Sequence, residues 1–565
     1  MSRSRSGGSA ISDAAVLTLI AVVLGCSVAV WLWGALAGSL FGRGWPGIQT
    51  AQLPGVLVRL PGRLSDPASA WPRLARARLP GPAGFYGALG VLVAFAAAAL
   101  AFAARLGLTG RATRRGPGAR WAGAGDLRAL RGSADTGRLT LGRYRGRLLH
   151  AEQRHALVAF GPPQSGKSAG LAVPALLEWD GPAIACSIKT DLLSCTLERR
   201  RTVGPVLVFD PFALAGTPSH TWSPLRAART WDGALESAWR LAAAGELDQR
   251  GVEGGDFWAV AAEQRLAPLL FTAAVSGLGM DAVVRWVYGQ GSRELDETVA
   301  RMTGSAHDED ELEGAHAAYD ALRAFESQAD RTRTSIEATA QGLLRAYRFR
   351  RVLRSARSCE IDPDALLDGR ATLYLIGDAK ASKLLRPIFL ALLSEIVDRA
   401  YERATLAGGR LELPLLLCLD EAGNVAPLPN LAEIASTAPS HNIQLVSIFH
   451  DLAQARSRYG RQAETVVNSH RARMLLPGVA DLDTLRYFAG LVGEEEARET
   501  SRTTGAGSGG GTRTSAVRRR PLVAPEALRQ LPDRHALLLY GRVPPAEVKL
   551  RMWFADRRLR KLAAP

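Results

Sequence analysis

Residues 157–168 read Leu-Val-Ala-Phe-Gly-Pro-Pro-Gln-Ser-Gly-Lys-Ser, a short apolar strand running directly into the pattern GxxxxGKS. A chance match to that pattern arises on the order of once per 10⁴ positions, so the context around it decides. Here a strand precedes it, and Ala-Gly-Leu-Ala-Val-Pro follows, which can begin a helix. Gly161 and Gly166 let the backbone bend so that its N–H groups point inward, making a cradle for phosphates. The spacing assigns Lys167 to the β- and γ-phosphates and the Ser168 hydroxyl to Mg²⁺. The expected binding loop is Gly161, Pro162, Pro163, Gln164, Ser165, Gly166, Lys167, Ser168 and Ala169, with ATP and Mg²⁺ as ligands.

A second site follows much later. Residues 414–421 read Pro-Leu-Leu-Leu-Cys-Leu-Asp-Glu, a buried-type strand ending in two carboxylates. Alone, such a pair is an ordinary solvated strand end. Paired with a phosphate loop, it places the first acid near Mg²⁺ and the second beside the attacking water. We therefore assign Asp420 to the metal, and Glu421, with Lys167, to catalysis. Further apolar runs at Ala183–Ser187, Val206–Asp210, Thr372–Ile376, Gln444–Phe449 and Arg473–Leu476 alternate with helical segments. That alternation predicts an α/β fold, a mostly parallel sheet covered by helices on both faces. Ala536–Tyr540 and Val548–Trp553 read as a hairpin at the sheet edge.

The chain has 565 residues, enough for two or three domains. Two apolar runs open it, residues 14–41 and 85–108, each longer than the ~20 residues a spanning helix needs. We expect both to be transmembrane helices. The loop between them, about residues 42–84, is rich in Pro and Gly, and little structure is expected there. Arginines lie on both sides of each run, so the positive-inside rule does not set the topology. The nucleotide does: ATP is cytosolic, which puts both termini inside.

The net charge of +16 invites a nucleic-acid reading, but residues 1–131 carry +12 of it. Anionic lipid is the simplest partner for charge placed there, and bulk charge is no evidence for DNA binding. Five scattered cysteines, without metal-ligand spacing, exclude a disulfide framework and fit a reducing cytosol.

Beyond the two nucleotide motifs, several stretches carry a more specific signal. Ser187-Ile-Lys-Thr-Asp-Leu-Leu193 follows one strand, Phe209-Asp-Pro-Phe212 ends the next, and Trp222-Ser-Pro-Leu225 lies just beyond. Phe257-Trp-Ala-Val-Ala-Ala-Glu263 begins a long helix. Leu419-Asp-Glu-Ala-Gly-Asn-Val-Ala-Pro-Leu-Pro429 is the longest stretch, followed by Asp451-Leu-Ala-Gln-Ala-Arg456 and Asn468-Ser-His-Arg-Ala-Arg473. From about Arg120 onward the chain resembles the type IV coupling proteins of conjugation, the TraG/TraD-like ATPases.

The resemblance implies a RecA-like P-loop NTPase motor at the bacterial inner (cell) membrane, multi-pass, with the motor domain cytoplasmic. It further implies a homo-hexamer that brings relaxase-bound single-stranded DNA to type IV secretion channel proteins and couples ATP hydrolysis to the transfer. An inserted all-α domain completes the layout. The expected division is a membrane anchor over residues 1–119, a nucleotide-binding domain over 120–226 and 360–565, and the helical insertion over 227–359. Within that insertion, residues 314–349 read as one or two long helices, and the acidic run Asp308–Glu313 reads as a solvated turn.

One position departs from the family pattern. After the sixth strand the family usually places a Gln that senses the γ-phosphate, and here that position is His450. Imidazole can donate to phosphate but is shorter and titrates near neutrality. Ring ATPases also take an arginine from the next subunit; Arg386, Arg471 and Arg473 are candidates in an arginine-rich chain. Residues 503–514 are Gly/Ser/Thr-rich and read as a flexible loop; the following Arg518, Arg519 and Arg520 could touch DNA phosphates.

Two rival readings stand beside the coupling-protein one. An FtsK-type double-stranded DNA translocase would carry more spans and a C-terminal winged helix, for which the sequence after the last strand pair leaves no room. A secretion-substrate receptor with incidental ATPase activity would turn over ATP indifferently to DNA.

Overall fold

A strand that is apolar on both faces must be covered on both sides, and that demand organises most of this protein. The computed structural model describes residues 10–105, 118–132, 137–249, 255–304, 308–425, 427–503 and 512–564. In chain order the strands are β1 (Thr140–Tyr144), β2 (Arg147–His150), β3 (Leu157–Phe160), β4 (Ala183–Ser187), β5 (Val206–Phe209), β6 (Thr372–Ile376), β7 (Leu415–Asp420), β8 (Ile443–Phe449), β9 (Ala472–Leu475), β10 (Glu494–Thr503), β11 (Thr512–Pro521), β12 (His535–Tyr540) and β13 (Val543–Lys549). Eleven of them form one sheet in the order β2-β1-β13-β12-β9-β3-β8-β7-β4-β6-β5. From β9 to β5 every pairing is parallel. The pairings from β9 through β12, β13 and β1 to β2 are antiparallel.

The alternation along β3 sets the two layers. Val158 and Phe160 face one core cluster, while Leu157 and Ala159 face the other, and all four are buried. The seven predicted parallel strands are all present, so the expected α/β architecture holds.

The C-terminal hairpin departs from expectation. It is not an edge: β12 pairs with β9, and β1 pairs with β13, so the β1–β2 hairpin closes that side instead. The second arm is Val543–Lys549 rather than Val548–Trp553. The β1–β2 hairpin turns through Arg145 and Gly146, at φ 49° and 81°. Its pattern is too polar to read as strands, because β1 and β2 are only half-buried.

Between β5 and β6 the described residues are helical or irregular, with helices including Trp231–Gln249, Gly255–Val275, Glu309–Glu326 and Asp330–Leu344. The acidic run begins the third of these. Asp308 caps it, its Oδ1 accepting from the Glu311 N–H at 2.8 Å. Glu309, Asp310 and Glu311 fill the first turn, where the helix dipole favours negative charge.

Only the two ends of the glycine-rich stretch, Thr503 and residues 512–514, are described, and these are strand rather than loop. Thr503 ends β10, and Thr512 to Thr514 begin β11, paired antiparallel over ten positions; residues 504–511 lie outside the described ones. Arg518, Arg519 and Arg520 sit opposite Ala497, Glu496 and Glu495, and Arg520 forms an ion pair with Glu495 at 2.8 Å. The ribbon's own acids thus meet part of this arginine charge.

The chain divides into two compact units, residues 1–116 and 117–565. In the first, helices Ala10–Phe41 and Pro82–Arg105 take up the two apolar runs. The side chains of residues 10–24 and 99–105, and all of residues 106–108, lie outside the described residues. Among the described residues no helix is long and apolar enough to cross a membrane. The connecting loop is more ordered than its composition predicts. It folds in short helical turns around Trp71, which is buried against Phe85 at a ring separation of 4.9 Å. Gly34 makes room for the Trp71 indole, since a Cβ there would lie 2.7 Å from its Nε1.

Candidate nucleotide site

The carboxyl ends of three adjacent parallel strands build the site. β8 lies between β3 and β7, so the phosphate loop leaving β3, the segment leaving β8 and the acids ending β7 converge. Ligands of open parallel sheets bind at this end of the strands. The loop is fixed by its backbone: Gly161 N–H donates to the Phe449 carbonyl at 3.1 Å, and Gln164 and Gly166 take φ of +66° and +90°. A π-helical turn, Ser168–Ala172, follows before the helix Val173–Glu178. Pro174 has no N–H for the ordinary α-helical bond, which suits the widened turn.

Ser168 Oγ donates to Asp420 Oδ2 at 2.7 Å, joining the two sequence motifs. Asp420 is buried, and among the described residues its Oδ1 has no hydrogen-bond partner. Burial pushes its pKa up to about 6, against the Ser168 hydrogen bond. Such an orphaned carboxylate oxygen beside a hydroxyl fits a divalent cation. Among the described residues no group of three or more His, Cys, Asp or Glu could hold a metal. Mg²⁺ takes one or two protein ligands and draws the rest from phosphate and water, a demand that Ser168 and Asp420 can meet.

Lys167 is buried, and its ammonium donates to the carbonyls of Gly161 and Pro162, the latter at 3.2 Å. Burial lowers its pKa, with Glu421 and Asp420 opposing that shift. Glu421 stands at φ +86°, a conformation that costs a non-glycine residue energy and marks functional positions. The turn after it is held by Asn424, whose N–H donates to the Glu421 carbonyl and whose Nδ2 donates to Oε2, both at 2.9 Å. Burial would raise the Glu421 pKa, but His450, Lys167 and Asn424 together hold it below the usual carboxylate value.

His450 lies between these groups: its Nδ1 is 3.0 Å from Lys167 Nζ and its Nε2 is 3.0 Å from Glu421 Oε2. All of the sequence-predicted loop residues from Pro162 to Ala169, with Asp420, Glu421 and His450, line one cleft of about 1060 Å³. Gly161 supports the loop from below, where a Cβ would collide with Leu476 and Ser165.

Other walls of this cleft escape a local reading. Lys189 enters from the end of β4, and Arg529, Asp533, Arg534, Met552 and Phe554 come from the C-terminal segment. Lys189 sits in a stretch singled out by resemblance, which was a usable signal. The C-terminal residues carry no local signal, since their approach depends on β12 and β13 folding back beside β9.

The proposed finger residues separate. Arg386 is buried, at 3% exposure, within the helix Ala379–Leu406 and is not displayed to a neighbour. Arg473 donates to the carbonyls of Val467 and Asn468, at 3.0 and 2.8 Å. Arg471 pairs with Glu152 at 3.3 Å and lies over the Tyr540 ring. None of the three lines the nucleotide cleft.

The type IV secretory system conjugative DNA transfer family model matches residues 121–564. The chain belongs to this family. A conjugal transfer protein TraG from Escherichia coli is 24% identical over 410 residues, covering 68% of this chain and 63% of that one. A protein VirD4 from Rhizobium rhizogenes is 22% identical over 461 residues, covering 79% and 66%. The chain thus spans less than two thirds of the length of these curated relatives. Among solved structures, the plasmid coupling protein TrwB in complex with ADP and Mg²⁺ matches with a TM-score of 0.57 at 18% identity. That match covers 77% of this chain and 94% of that one. An unbound crystal form of the TrwB coupling protein matches with a TM-score of 0.56 at 19% identity. The TrwB-like α/β fold with a mostly parallel sheet is therefore this chain's fold.

Proposed function

We propose that this protein is an ATPase that couples ATP hydrolysis to delivery of relaxase-bound single-stranded DNA to a type IV secretion channel. The observation that carries the catalytic part is the junction of Ser168, Asp420, Lys167, His450 and Glu421 in one cleft. Loop amides from Gly166 to Ala169 bind the phosphates, and Lys167 leaves its carbonyl partners to neutralise the β- and γ-oxygens. Ser168 and Asp420 would hold Mg²⁺, which would supply charge neutralisation for the phosphates. Glu421 orients and deprotonates the attacking water, and His450 keeps that carboxylate aimed.

Family membership supports the wider reading, in which the partners are the relaxosome and type IV secretion channel proteins. In that reading a membrane anchor over residues 1–119 carries two transmembrane helices, at about 14–41 and 85–108, each long and apolar enough in sequence to span. The motor then lies on the cytosolic side of the inner membrane, with residues 227–359 as an all-helical insertion. A homo-hexamer would place a neighbour's arginine at each nucleotide.

Steady-state hydrolysis with and without single-stranded DNA tests the proposal. Wild type turns over MgATP faster with DNA, Lys167→Ala loses nucleotide binding, and Glu421→Gln binds MgATP but slows hydrolysis by roughly 10²-fold or more. Turnover that ignores DNA and survives both substitutions would leave only a receptor.

A further inference from the structure

A second concavity, of about 1160 Å³, opens beside the nucleotide cleft, between the end of β13, the tip of the β1–β2 hairpin and the C-terminal helix Arg557–Ala563. Of its two acids, Asp556 binds both Arg143 and Arg551, at 3.1 and 3.0 Å, and Glu547 has only the His535 imidazole beside it, at 2.9 Å. Six exposed cations remain around it, Arg145, Arg534, Lys549, Arg557, Arg558 and Lys561. Among the described residues none of the six has an acidic partner. Residues 132–565 are otherwise nearly balanced, with 55 basic and 51 acidic groups. A concentration of unpaired charge of one sign in a concave surface focuses a field for the opposite charge.

The arrangement has two walls. Lys549 stands on β13, directly opposite Arg143 on β1, while Arg557 and Lys561 are spaced i,i+4 on one helix face. Arg534 lines both this hollow and the nucleotide cleft, where its guanidinium lies 5.8 Å from the ring centroid of Phe554. Two rows of cations flanking a trough too large for a single phosphate suit a linear polyanion such as a nucleic-acid backbone. A concave hollow suits a lipid surface poorly, because a bilayer presents a flat plane of head groups.

We propose that this hollow binds the phosphate backbone of single-stranded nucleic acid. The proposal rests on the functional reading above for its choice of polyanion. The hollow is also joined to the phosphate loop. Arg534 and Met552 line both cavities. Trp553 N–H donates to the Ala169 carbonyl at 3.0 Å, and Leu550 and Met552 pack against Gly170. A strand in the hollow therefore rests on the segment that abuts the nucleotide.

The test uses the full chain in detergent micelles and fluorescence anisotropy of a labelled oligo(dT) of about 30 nucleotides, without nucleotide present. The comparison is with the quadruple variant Arg145→Gln, Lys549→Gln, Arg557→Gln and Lys561→Gln. We expect at least tenfold weaker binding by the variant. Its salt dependence should flatten by about 3 in log–log slope, at roughly 0.7 for each phosphate that is no longer neutralised. Its MgATP affinity should stay within about twofold. Should the quadruple variant lose MgATP binding through misfolding, Arg557→Gln with Lys561→Gln on the exposed helix face should give about half the slope change.

Equal affinity and slope for wild type and variant overturn the proposal, as does a wild type that does not bind the oligonucleotide. Selective loss of binding to phosphatidylglycerol vesicles, with oligonucleotide binding intact, also overturns it and assigns the hollow to lipid. Absence of MgATP hydrolysis in the wild type would instead strike the ATPase reading and leave this binding result standing.

Discussion

His450 Nε2 lies 3.0 Å from Glu421 Oε2, while the other nitrogen of the same ring lies 3.0 Å from Lys167 Nζ. Lys167 can only donate and Glu421 as a carboxylate can only accept, so the ring accepts at Nδ1 and donates from Nε2. One side chain thus ties the lysine of the Gly161–Ser168 loop to the second acid at the end of β7, and the ring itself is placed by the end of β8. The His450 N–H donates to Gln454 Oε1 at 2.7 Å, and Asp451 caps the following helix.

A glutamine can make the same two contacts, accepting with its carbonyl and donating with its amide. His450→Gln should therefore keep ATP turnover within about threefold of wild type. His450→Leu can make neither contact. A charge-assisted hydrogen bond is worth about 1.5–3 kcal/mol, so roughly 10- to 100-fold in turnover should be lost. Steady-state hydrolysis measures both, and complete loss in the glutamine variant would mean that the site has been rebuilt around imidazole.

Asp420 must be ionised to hold Mg²⁺, and burial raises its pKa to about 6. Below pH 6 the proton competes with the metal. The Mg²⁺-dependent part of nucleotide affinity should fall by up to about tenfold per pH unit there, while binding without Mg²⁺ changes less. Isothermal titration at pH 5, 6 and 7.5 reads this directly; a flat Mg²⁺ dependence would remove Asp420 from the metal shell.

His470 is fully buried, with Nδ1 2.7 Å from the Val466 carbonyl and Nε2 3.0 Å from Ser447 Oγ. Burial lowers its pKa from 6.5 to about 4. Between those values the unfolded chain binds the extra proton, so stability rises with pH across that window and is lost as pH falls. The size is on the order of 3 kcal/mol. Asp420 acts oppositely over an overlapping range, because its raised pKa makes the folded state the proton binder. The comparison is therefore His470→Asn against wild type. The asparagine amide keeps the bond to Val466, and the variant should lose less stability between pH 6.5 and 4 in urea unfolding. Parallel curves would contradict a neutral buried imidazole.

Gly166 has φ +90°, and a Cβ there would collide with Met552. Left-handed backbone costs a residue with a side chain about 1–2 kcal/mol before any clash is counted. Gly166→Ala should weaken ATP binding about tenfold or more in a nucleotide titration. Adding Met552→Ala should recover part of that loss, and no recovery would place the whole cost in the backbone.

The phosphate loop was legible because its chemistry lies in eight consecutive residues, where covalent geometry alone sets which amides point inward. The strand ending in Asp420 and Glu421 was legible for a similar reason, and the short apolar runs announced the parallel strands. What the sequence could not say is which strand stands beside which. The placement of β8 between β3 and β7 puts His450 against both Lys167 and Glu421, and that order follows from packing across the whole sheet. The same holds for Arg534, Met552 and Phe554, which line the cleft nearly 400 residues after its phosphate loop because β12 and β13 fold back beside β9. It holds too for Arg386, whose arginine identity suggests a finger and whose burial denies it. Local spacing fixes what a segment can bind; only the long-range fit of apolar surfaces decides what it meets.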